Sequence, residues 1–236
     1  SNLTGALEQA IGNKRFSLGA TSTSLIPCER GWLVCFTDAN GKVDQIRCRK
    51  VITTIPAYAL PSLLPFIPTE QMNRISNLTY APVMQVCVGL RNTYGKEFPA
   101  FGGLVPSCEQ KSVLGILFPS AFFSNRSPKD GALYSYFLGG TRHPELLTKS
   151  NDEITTLIGT TMHEMLNYPV GIVPDLIRIF RHEKAIPQYE SSSADRFTTI
   201  NELQKQYPGL VLAGNLKGGI GMADRIKQAV EIAREK

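Results

Sequence analysis

Residues 209–226 read GLVLAGNLKGGIGMADRI and carry the arrangement in this chain best suited to ligand chemistry. Three apolar residues come first, then Gly214, Gly218, Gly219 and Gly221, and an amphipathic stretch follows. This order predicts a short buried strand, a tight turn and a helix. Because glycine has no Cβ, a planar or anionic ligand can approach the backbone N–H groups at the helix N-terminus. Helix capping with close packing is the alternative explanation of the same glycines.

Side chains that could act as nucleophiles, acids or bases are poorly arranged in the sequence. There is no GxSxG motif for a nucleophilic serine. Glu183, Glu190 and Asp195 stand among Arg181, Lys184 and Arg196, a mixture typical of solvated surface ion pairs. We predict no catalytic residue in this chain, so any redox chemistry has to come from a bound cofactor.

The cysteines and histidines give no metal site. The five cysteines are an odd number without a CxxC pair, which predicts reduced, mostly buried thiols in a cytoplasmic protein. His143, His163 and His182 lie far apart and form no HExxH motif, so we predict no metal.

Composition predicts a soluble globular protein. The chain has 236 residues, of which 42% are hydrophobic and 19% charged, enough for one large domain or two modest ones. The net charge of +5 is spread along the chain without a basic run, so we predict no nucleic-acid partner. It suits an anionic ligand, and it leaves peripheral association with the inner face of a membrane open. The oligomeric state is not determined by the sequence.

Periodicity and turn residues predict an α+β protein. A first group of elements is expected as a helix at 3–11, strands at 15–18, 22–27, 32–37, 43–47 and 50–56, and helices at 57–64 and 69–76. A second group, strands at 83–90, 113–118 and 132–138, fits an antiparallel sheet of three or four strands. Ser150 and Glu153 form a capping box that opens a helix lying on this sheet. A strand at 176–180, a loop holding His182, and a helix at about 192–206 lead to the glycine turn.

Several blocks together resemble the protoporphyrinogen oxidase family, oxygen-dependent FAD enzymes within the amine oxidase-like flavoproteins. They are GLVLAGNLKGGIGMADRI, HEKAIPQY at 182–189, FGGLVPS at 101–107, VLGILFPSAFF at 113–123 and VITTIPAYALPSLLP at 51–65. The resemblance implies a discontinuous FAD-binding domain, at 1–60 and 180–236. It also implies a substrate-binding domain at 61–179 whose antiparallel sheet is covered by helices.

The resemblance also implies site residues. It places Thr23 at the adenine end of FAD, and His182 at a position beside the flavin where the family often has Trp. Protoporphyrinogen contacts are implied for Leu60, Leu90 and Phe101. Along the glycine turn, the implied FAD contacts are Gly214, Asn215, Ile220, Gly221 and Met222.

The implied reaction is oxidation of protoporphyrinogen IX to protoporphyrin IX, by hydride removal from a bridging methylene to the flavin N5 over three cycles with dioxygen as acceptor. The family's N-terminal GxGxxG turn is missing from these 236 residues. We therefore expect a C-terminal fragment of such an enzyme that binds FAD weakly or not at all and is inactive alone. An amine oxidase or carotenoid desaturase relative, and a non-catalytic porphyrin- or partner-binding domain, remain the alternatives.

Overall fold

The structure, a computed structural model, describes residues 2–12 and 15–234 and divides them into two compact units. The first unit combines the described parts of 1–79 and 189–236, and the second is 80–188. Residues 61–79 lie in the first unit, whereas the implied substrate-binding domain began at 61. A compact unit is not defined by what it binds, so the functional division at 60 and 180 stays a prediction.

A three-stranded antiparallel sheet forms the early part of the first unit. Its strands, in the order β1-β2-β3, are β1 (Thr21–Cys28), β2 (Gly31–Thr37) and β3 (Val43–Cys48). The Asp38 carboxylate accepts hydrogen bonds from the N–H groups of Asn40 and Lys42, and this closes the predicted Asn-Gly hairpin. Trp32 on the central strand is buried and contacts the rings of Phe66 and Tyr207.

The other strands of the first unit form a two-stranded parallel sheet. β4 (Val51–Thr53) pairs with β10 (Leu210–Leu212), although more than 150 residues separate them in sequence. The helices of the unit are α1 (Asn2–Ile11), α2 (Leu60–Leu63), α3 (Thr69–Ser76), α6 (Ser193–Gln206) and α7 (Met222–Arg234). Helices α3 and α6 are in contact, and each has a fully buried apolar residue, Ile75 on α3 and Leu203 on α6.

Two helices of the first unit leave an apolar face exposed. On α7, Met222, Ile226 and Val230 are exposed by 68%, 50% and 43%, and no residue of the helix is buried. The apolar positions Leu3, Leu7 and Ile11 of α1 are exposed to a similar degree. Apolar residues spaced by four form a stripe that a soluble helix normally packs against a neighbour.

The second unit is built on one five-stranded antiparallel sheet of order β6-β7-β8-β5-β9. Its strands are β5 (Tyr80–Leu90), β6 (Gly102–Leu104), β7 (Val113–Leu117), β8 (Ala132–Gly139) and β9 (Leu176–Pro187). The short α4 (Pro119–Phe122) lies beside β8, where Ser120 Oγ accepts from the Leu133 N–H. β5 alternates in burial from Met84 to Leu90 because one face of the strand packs on the core.

The covering helix of this sheet is α5 (Asn151–Leu166). Its Ile154, Ile158 and Met162 are fully buried in one cluster with Met84 and Val86 of β5. The predicted capping box is confirmed, since Ser150 Oγ accepts from the Glu153 N–H and the Glu153 carboxylate accepts from the Ser150 N–H. Packing on the sheet and the capped start together define this helix.

The α+β class and the helix-covered antiparallel sheet are confirmed, and four local expectations are corrected. Residues 15–18 form no strand, and 102–104, where no strand was predicted, form edge strand β6. β9 runs to Pro187, so His182 lies in a strand rather than in a loop, because pairing with β5 continues past the apolar run. None of the five free cysteines is fully buried.

Candidate functional site

The glycine turn joins β10 to α7 in the predicted order of strand, turn and helix. Gly214, Gly218 and Gly219 have φ angles of 84°, 75° and 94°, which side-chain-bearing residues rarely adopt. At Gly214 a Cβ would also lie 2.9 Å from the Thr54 carbonyl oxygen, at the end of the neighbouring strand β4. The turn therefore needs glycine there for both its conformation and its closeness to β4.

Arg225, one turn into α7, bonds back to three successive carbonyls of the glycine turn. Its Nη2 lies 3.1 Å from the Lys217 oxygen, 3.0 Å from the Gly218 oxygen and 3.0 Å from the Gly219 oxygen. Nη2 has two N–H groups for these three oxygens, so one N–H is shared, and the positive charge draws the carbonyls toward Arg225.

Gln228 and Tyr189 complete this network around the turn. Gln228 Oε1 accepts from the Gly214 N–H at 2.9 Å and from Arg225 Nη1 at 3.0 Å. The Tyr189 hydroxyl lies 2.9 Å from the Asn215 oxygen and 2.9 Å from the Gly219 oxygen. Partial burial raises the pKa of Tyr189, while the charge of Arg225 acts in the opposite direction. The hydroxyl therefore stays a neutral donor at physiological pH.

Arg196 supports the same region from α6. It is 3% exposed, its Nε donates to the Leu216 oxygen at 3.2 Å, and its guanidinium lies 5.4 Å from the Tyr189 ring centroid. The sequence placed Arg196 among solvated ion pairs, and that is wrong because α6 turns the side chain inward beneath residues 215–217.

A cavity of about 670 Å³ opens beside the turn within the first unit. Its walls come from the ends of β4 and β10, the turn and one side of α7, and they are Lys50, Ile52, Thr54, Ala213, Gly214, Asn215, Ile220, Arg225, Gln228, Ala229, Ile232 and Ala233. The volume is typical of small-molecule sites, which are mostly apolar with a few polar groups. Among these described lining residues there is no carboxylate and no histidine.

Three of the implied FAD contacts, Gly214, Asn215 and Ile220, line this cavity together. Gly221 and Met222 follow directly in the chain and are exposed at the start of α7, outside the set that lines the cavity. Thr23 lies half-buried on β1.

The remaining predicted residues are spread over both units. His182 is exposed on β9 of the second unit, opposite Val83 of β5. Leu60 and Leu90 are 0% and 3% exposed, so their side chains contact protein atoms. Phe101 is 66% exposed, and its ring stacks on that of Phe122 at 4.6 Å. Of these residues, Phe101 and His182 are open to a ligand.

The side chains that shape the turn were missed by the sequence reasoning. Arg225 and Gln228 occupy an amphipathic helix as ordinary polar residues, and Tyr189 drew notice only as part of the IPQY block. A weak signal was available in the sequence. Gln228 follows Arg225 by three residues, so the two side chains lie on the same face of the predicted helix.

Within the described ranges, no group of histidine, cysteine and acidic residues could hold a metal ion. The helices of the same ranges include none that is long and apolar enough to cross a bilayer.

Several protoporphyrinogen oxidases are similar to this chain in sequence. The chloroplastic enzyme of Nicotiana tabacum is 25% identical over 99% of this chain and 44% of its own length. The chloroplastic/mitochondrial enzyme 2 of Arabidopsis thaliana is 31% identical over 69% of this chain and 32% of its own length. The Homo sapiens enzyme is 28% identical over 88% of this chain and 43% of its own length. The chain thus spans less than half the length of these relatives.

Solved structures of flavoenzymes have the same fold. A protein from Exiguobacterium sp. 255-15, assigned as a protoporphyrinogen oxidase, superposes with a TM-score of 0.69 at 18% identity, over 91% of this chain and 47% of that one. Cyclohexylamine oxidase from Brevibacterium oxydans IH-35A gives 0.65 at 12% identity, over 99% of this chain and 53% of that one.

The cavity suits the ring of a flavin. Its walls are mostly apolar, as a flat aromatic ring system requires, and Thr54, Asn215 and Gln228 are neutral polar residues among them. The family model for flavin containing amine oxidoreductases matches residues 1–234. The chain therefore belongs to the flavin containing amine oxidoreductase family.

Proposed function

We propose that this chain is part of a protoporphyrinogen oxidase that oxidises protoporphyrinogen IX to protoporphyrin IX with FAD as cofactor and dioxygen as acceptor. The observation that carries the proposal is the 670 Å³ cavity beside the glycine turn, with Gly214, Asn215 and Ile220 in its wall. The protoporphyrinogen oxidases that match 87–100% of this chain support the choice of substrate.

When bound, a flavin supplies the acceptor for a hydride. The chain's own part is to hold the ring, through the turn backbone and through Ile52, Ile220 and Ile232, and to keep water from its face. Lys50 and Arg225 are the charged residues among the described walls, which gives the cavity a positive potential suited to an electron-rich ring edge. The absence of carboxylates and histidine from those walls fits a reaction driven by the cofactor.

The other implied FAD contacts are proposed to lie at different parts of the cofactor site. We assign Gly221 and Met222 to the rim of the site, Thr23 to the adenine end and His182 to the flavin side. Leu60 and Leu90 remain proposed substrate-site residues, and both are buried, Leu60 in the first unit and Leu90 in the second.

For the substrate we assign the face of the second unit's sheet that lies opposite α5. Gln85 and Ser135 share this face and are joined by a hydrogen bond of 3.3 Å between Gln85 Nε2 and Ser135 Oγ. Phe180, opposite Gln85 on β9, is 47% exposed, and His182 follows it on the same face. Exposed Arg178, opposite Cys87, lies on the same face, so the surface mixes aromatic, neutral polar and basic groups, which suits a large tetrapyrrole. Phe101 is the assigned contact from the β6 end.

The rest of the FAD site is proposed to come from a polypeptide segment outside these 236 residues. The two-stranded parallel sheet of β4 and β10 is only three residues long, and parallel sheets are normally covered on both faces. The exposed stripes of α1 and α7 give such a segment an apolar surface to cover. We expect the present chain alone to bind FAD weakly and to be inactive.

A substrate comparison tests the proposal. The chain is expressed with all the coding sequence that flanks it in its gene, loaded with FAD, and supplied in air with protoporphyrinogen IX, a primary amine or a carotenoid precursor. Protoporphyrin fluorescence should rise with the first substrate only, and heat-inactivated enzyme gives the rate of spontaneous oxidation. Turnover of the amine or the polyene alone would assign the chain to another branch of the family. Stoichiometric porphyrin binding without turnover of any substrate would favour the binding-domain alternative.

The predicted cellular location is kept as a proposal. We propose a cytoplasmic protein, with peripheral association at the inner face of the membrane as its variant, while plant relatives are named as chloroplastic or mitochondrial. Fractionation of cells into soluble and membrane parts, followed by a high-salt wash, distinguishes the two.

A further inference from the structure

The geometry points to Arg225 as a positioning residue that, with Gln228 and Tyr189, forms the flavin-ring site before any ligand arrives. This inference rests on the proposed function and deepens it, because it names side chains that define the shape of the cavity. The ligand class is the isoalloxazine ring, which should bind here weakly without the ADP portion of the cofactor.

Arg225, Gln228 and Tyr189 all form hydrogen bonds to the backbone of the glycine turn. All three side chains reach from regular elements or their ends toward the backbone of the turn. Arg225 bonds the oxygens of residues 217–219, Tyr189 the oxygens of Asn215 and Gly219, and Gln228 the N–H of Gly214. The network therefore fixes the turn at both ends and in its middle.

The glycines of the turn need bonds from other residues to hold a single conformation. A run with three positive φ angles has many alternative conformations, and ordering it costs more entropy than ordering other residues. Several bonds to one charged guanidinium compensate for that cost, because hydrogen bonds to charged groups are stronger than neutral ones.

Arg225 lines the cavity, while its Nε is buried and has no hydrogen-bond partner within the described residues. A buried donor left without a partner is unfavourable. The Arg225 side chain keeps this orientation although Nε has no partner. Its bonds to the three carbonyls and to Gln228 therefore determine the orientation, as expected of a residue that positions the turn.

The test starts with the ligand-free 236-residue chain and measures amide hydrogen exchange in peptides covering 213–221. Arg225→Gln should speed exchange there about tenfold or more, since glutamine is shorter and lacks the positive charge that strengthens the bonds to the three carbonyls. Lys227→Gln is the matched control, with the same charge loss two residues along the helix and only a 4.0 Å contact to Glu231. Its exchange should stay within about twofold of the wild type.

A second variant covers the case in which Arg225→Gln unfolds the chain. Tyr189→Phe removes only the hydroxyl and should speed exchange of the same peptides several-fold, while peptides of β8 exchange as in the wild type. Unchanged exchange at 213–221 in either folded variant would overturn the positioning role.

The ligand part is tested with riboflavin, which has the ring and no phosphate, by quenching of its fluorescence. Wild type and Lys227→Gln should bind it alike, and Arg225→Gln should bind at least about tenfold more weakly. Failure of the wild type to bind riboflavin, or equal binding by Arg225→Gln, would overturn the assignment to the flavin ring. Riboflavin binding with no oxidation of protoporphyrinogen in the substrate comparison would count against the proposed function and support this inference.

Discussion

The carboxylate of Asp224 occupies the position that a Cβ on Gly219 would need. Asp224 is held there because its Oδ2 accepts from the Gly221 N–H at 2.9 Å. Gly219→Ala should therefore displace either the turn or this cap. We expect a loss of about 1–3 kcal/mol in the free energy of unfolding, measured in urea, together with weaker riboflavin binding.

Gly218→Ala is the matched control for this substitution. Its φ of 75° is also positive, but the nearest atom to a new Cβ is Arg225 Nη2 at 3.9 Å, an ordinary contact. It should cost about 1 kcal/mol from backbone strain alone. Adding Asp224→Ala to Gly219→Ala should recover part of the loss. Equal costs for the two glycine substitutions would show that the carboxylate does not restrict the turn.

The core of the second unit offers a prediction about buried hydroxyls. The hydroxyl oxygens of Tyr134 and Tyr168 lie 2.6 Å apart in the core, and burial raises the pKa of both tyrosines. Tyr168→Phe leaves the Tyr134 hydroxyl without this partner, so we expect a cost of about 1–3 kcal/mol in urea unfolding. Removing both hydroxyls should cost less than the sum of the single losses.

Tyr136 provides the comparison for this pair. It is fully buried, and its hydroxyl has no hydrogen-bond partner within the described residues. Tyr136→Phe should therefore be neutral or slightly stabilising. A cost as large as that of Tyr168→Phe would mean that an ordered water or another group satisfies Tyr136.

How far the sequence predicts this molecule depends on the range of the forces involved. The capping box at Ser150 and the hairpin at Asp38 were predictable because their bonds join residues two to four apart. β9 was predicted to end at Phe180, because its later residues are polar and extend the strand only through pairing with β5. Pairing between segments nearly 100 residues apart leaves no local pattern.

The site shows the same limit. The glycines revealed where the turn lies, since only they tolerate its φ angles. The side chains that bond to the turn, Arg225, Gln228, Tyr189 and Arg196, are of types that are also common on surfaces. Their roles come from side-chain directions that only the packed structure defines, and Arg196 was accordingly mistaken for a surface charge.

The capping box should make the stability of the second unit depend on pH. The pKa of Glu153 is lowered from 4.5 to about 2, first because its carboxylate accepts from the Ser150 N–H and then because of Lys149. Its folded-state pKa lies below the unfolded value. The stabilisation is therefore complete above about pH 4.5 and is lost as the pH falls through about 2.

Glu153→Gln keeps a hydrogen-bond acceptor but cannot titrate. The difference in urea midpoint between it and the wild type should shrink steadily from pH 5 to pH 2. Glu231→Gln, an exposed carboxylate on α7 with only the 4.0 Å contact to Lys227, is the control and should give a smaller and flatter difference. Parallel wild-type and Glu153→Gln profiles would contradict the assignment.

The exposed apolar side chains of α7 should add little to the stability of this chain, which leaves them available to contact another segment. Ile226 is 50% exposed, whereas Leu203 on α6 is completely buried. In urea unfolding, Ile226→Ser should change the free energy by no more than about 0.5 kcal/mol, and Leu203→Ala should cost about 2–5 kcal/mol. A side chain whose apolar surface adds nothing to the stability of these 236 residues is free to contact a further polypeptide. A cost above about 1.5 kcal/mol for Ile226→Ser would show that α7 is already packed in solution, and it would remove the apolar surface on which the proposed covering segment depends.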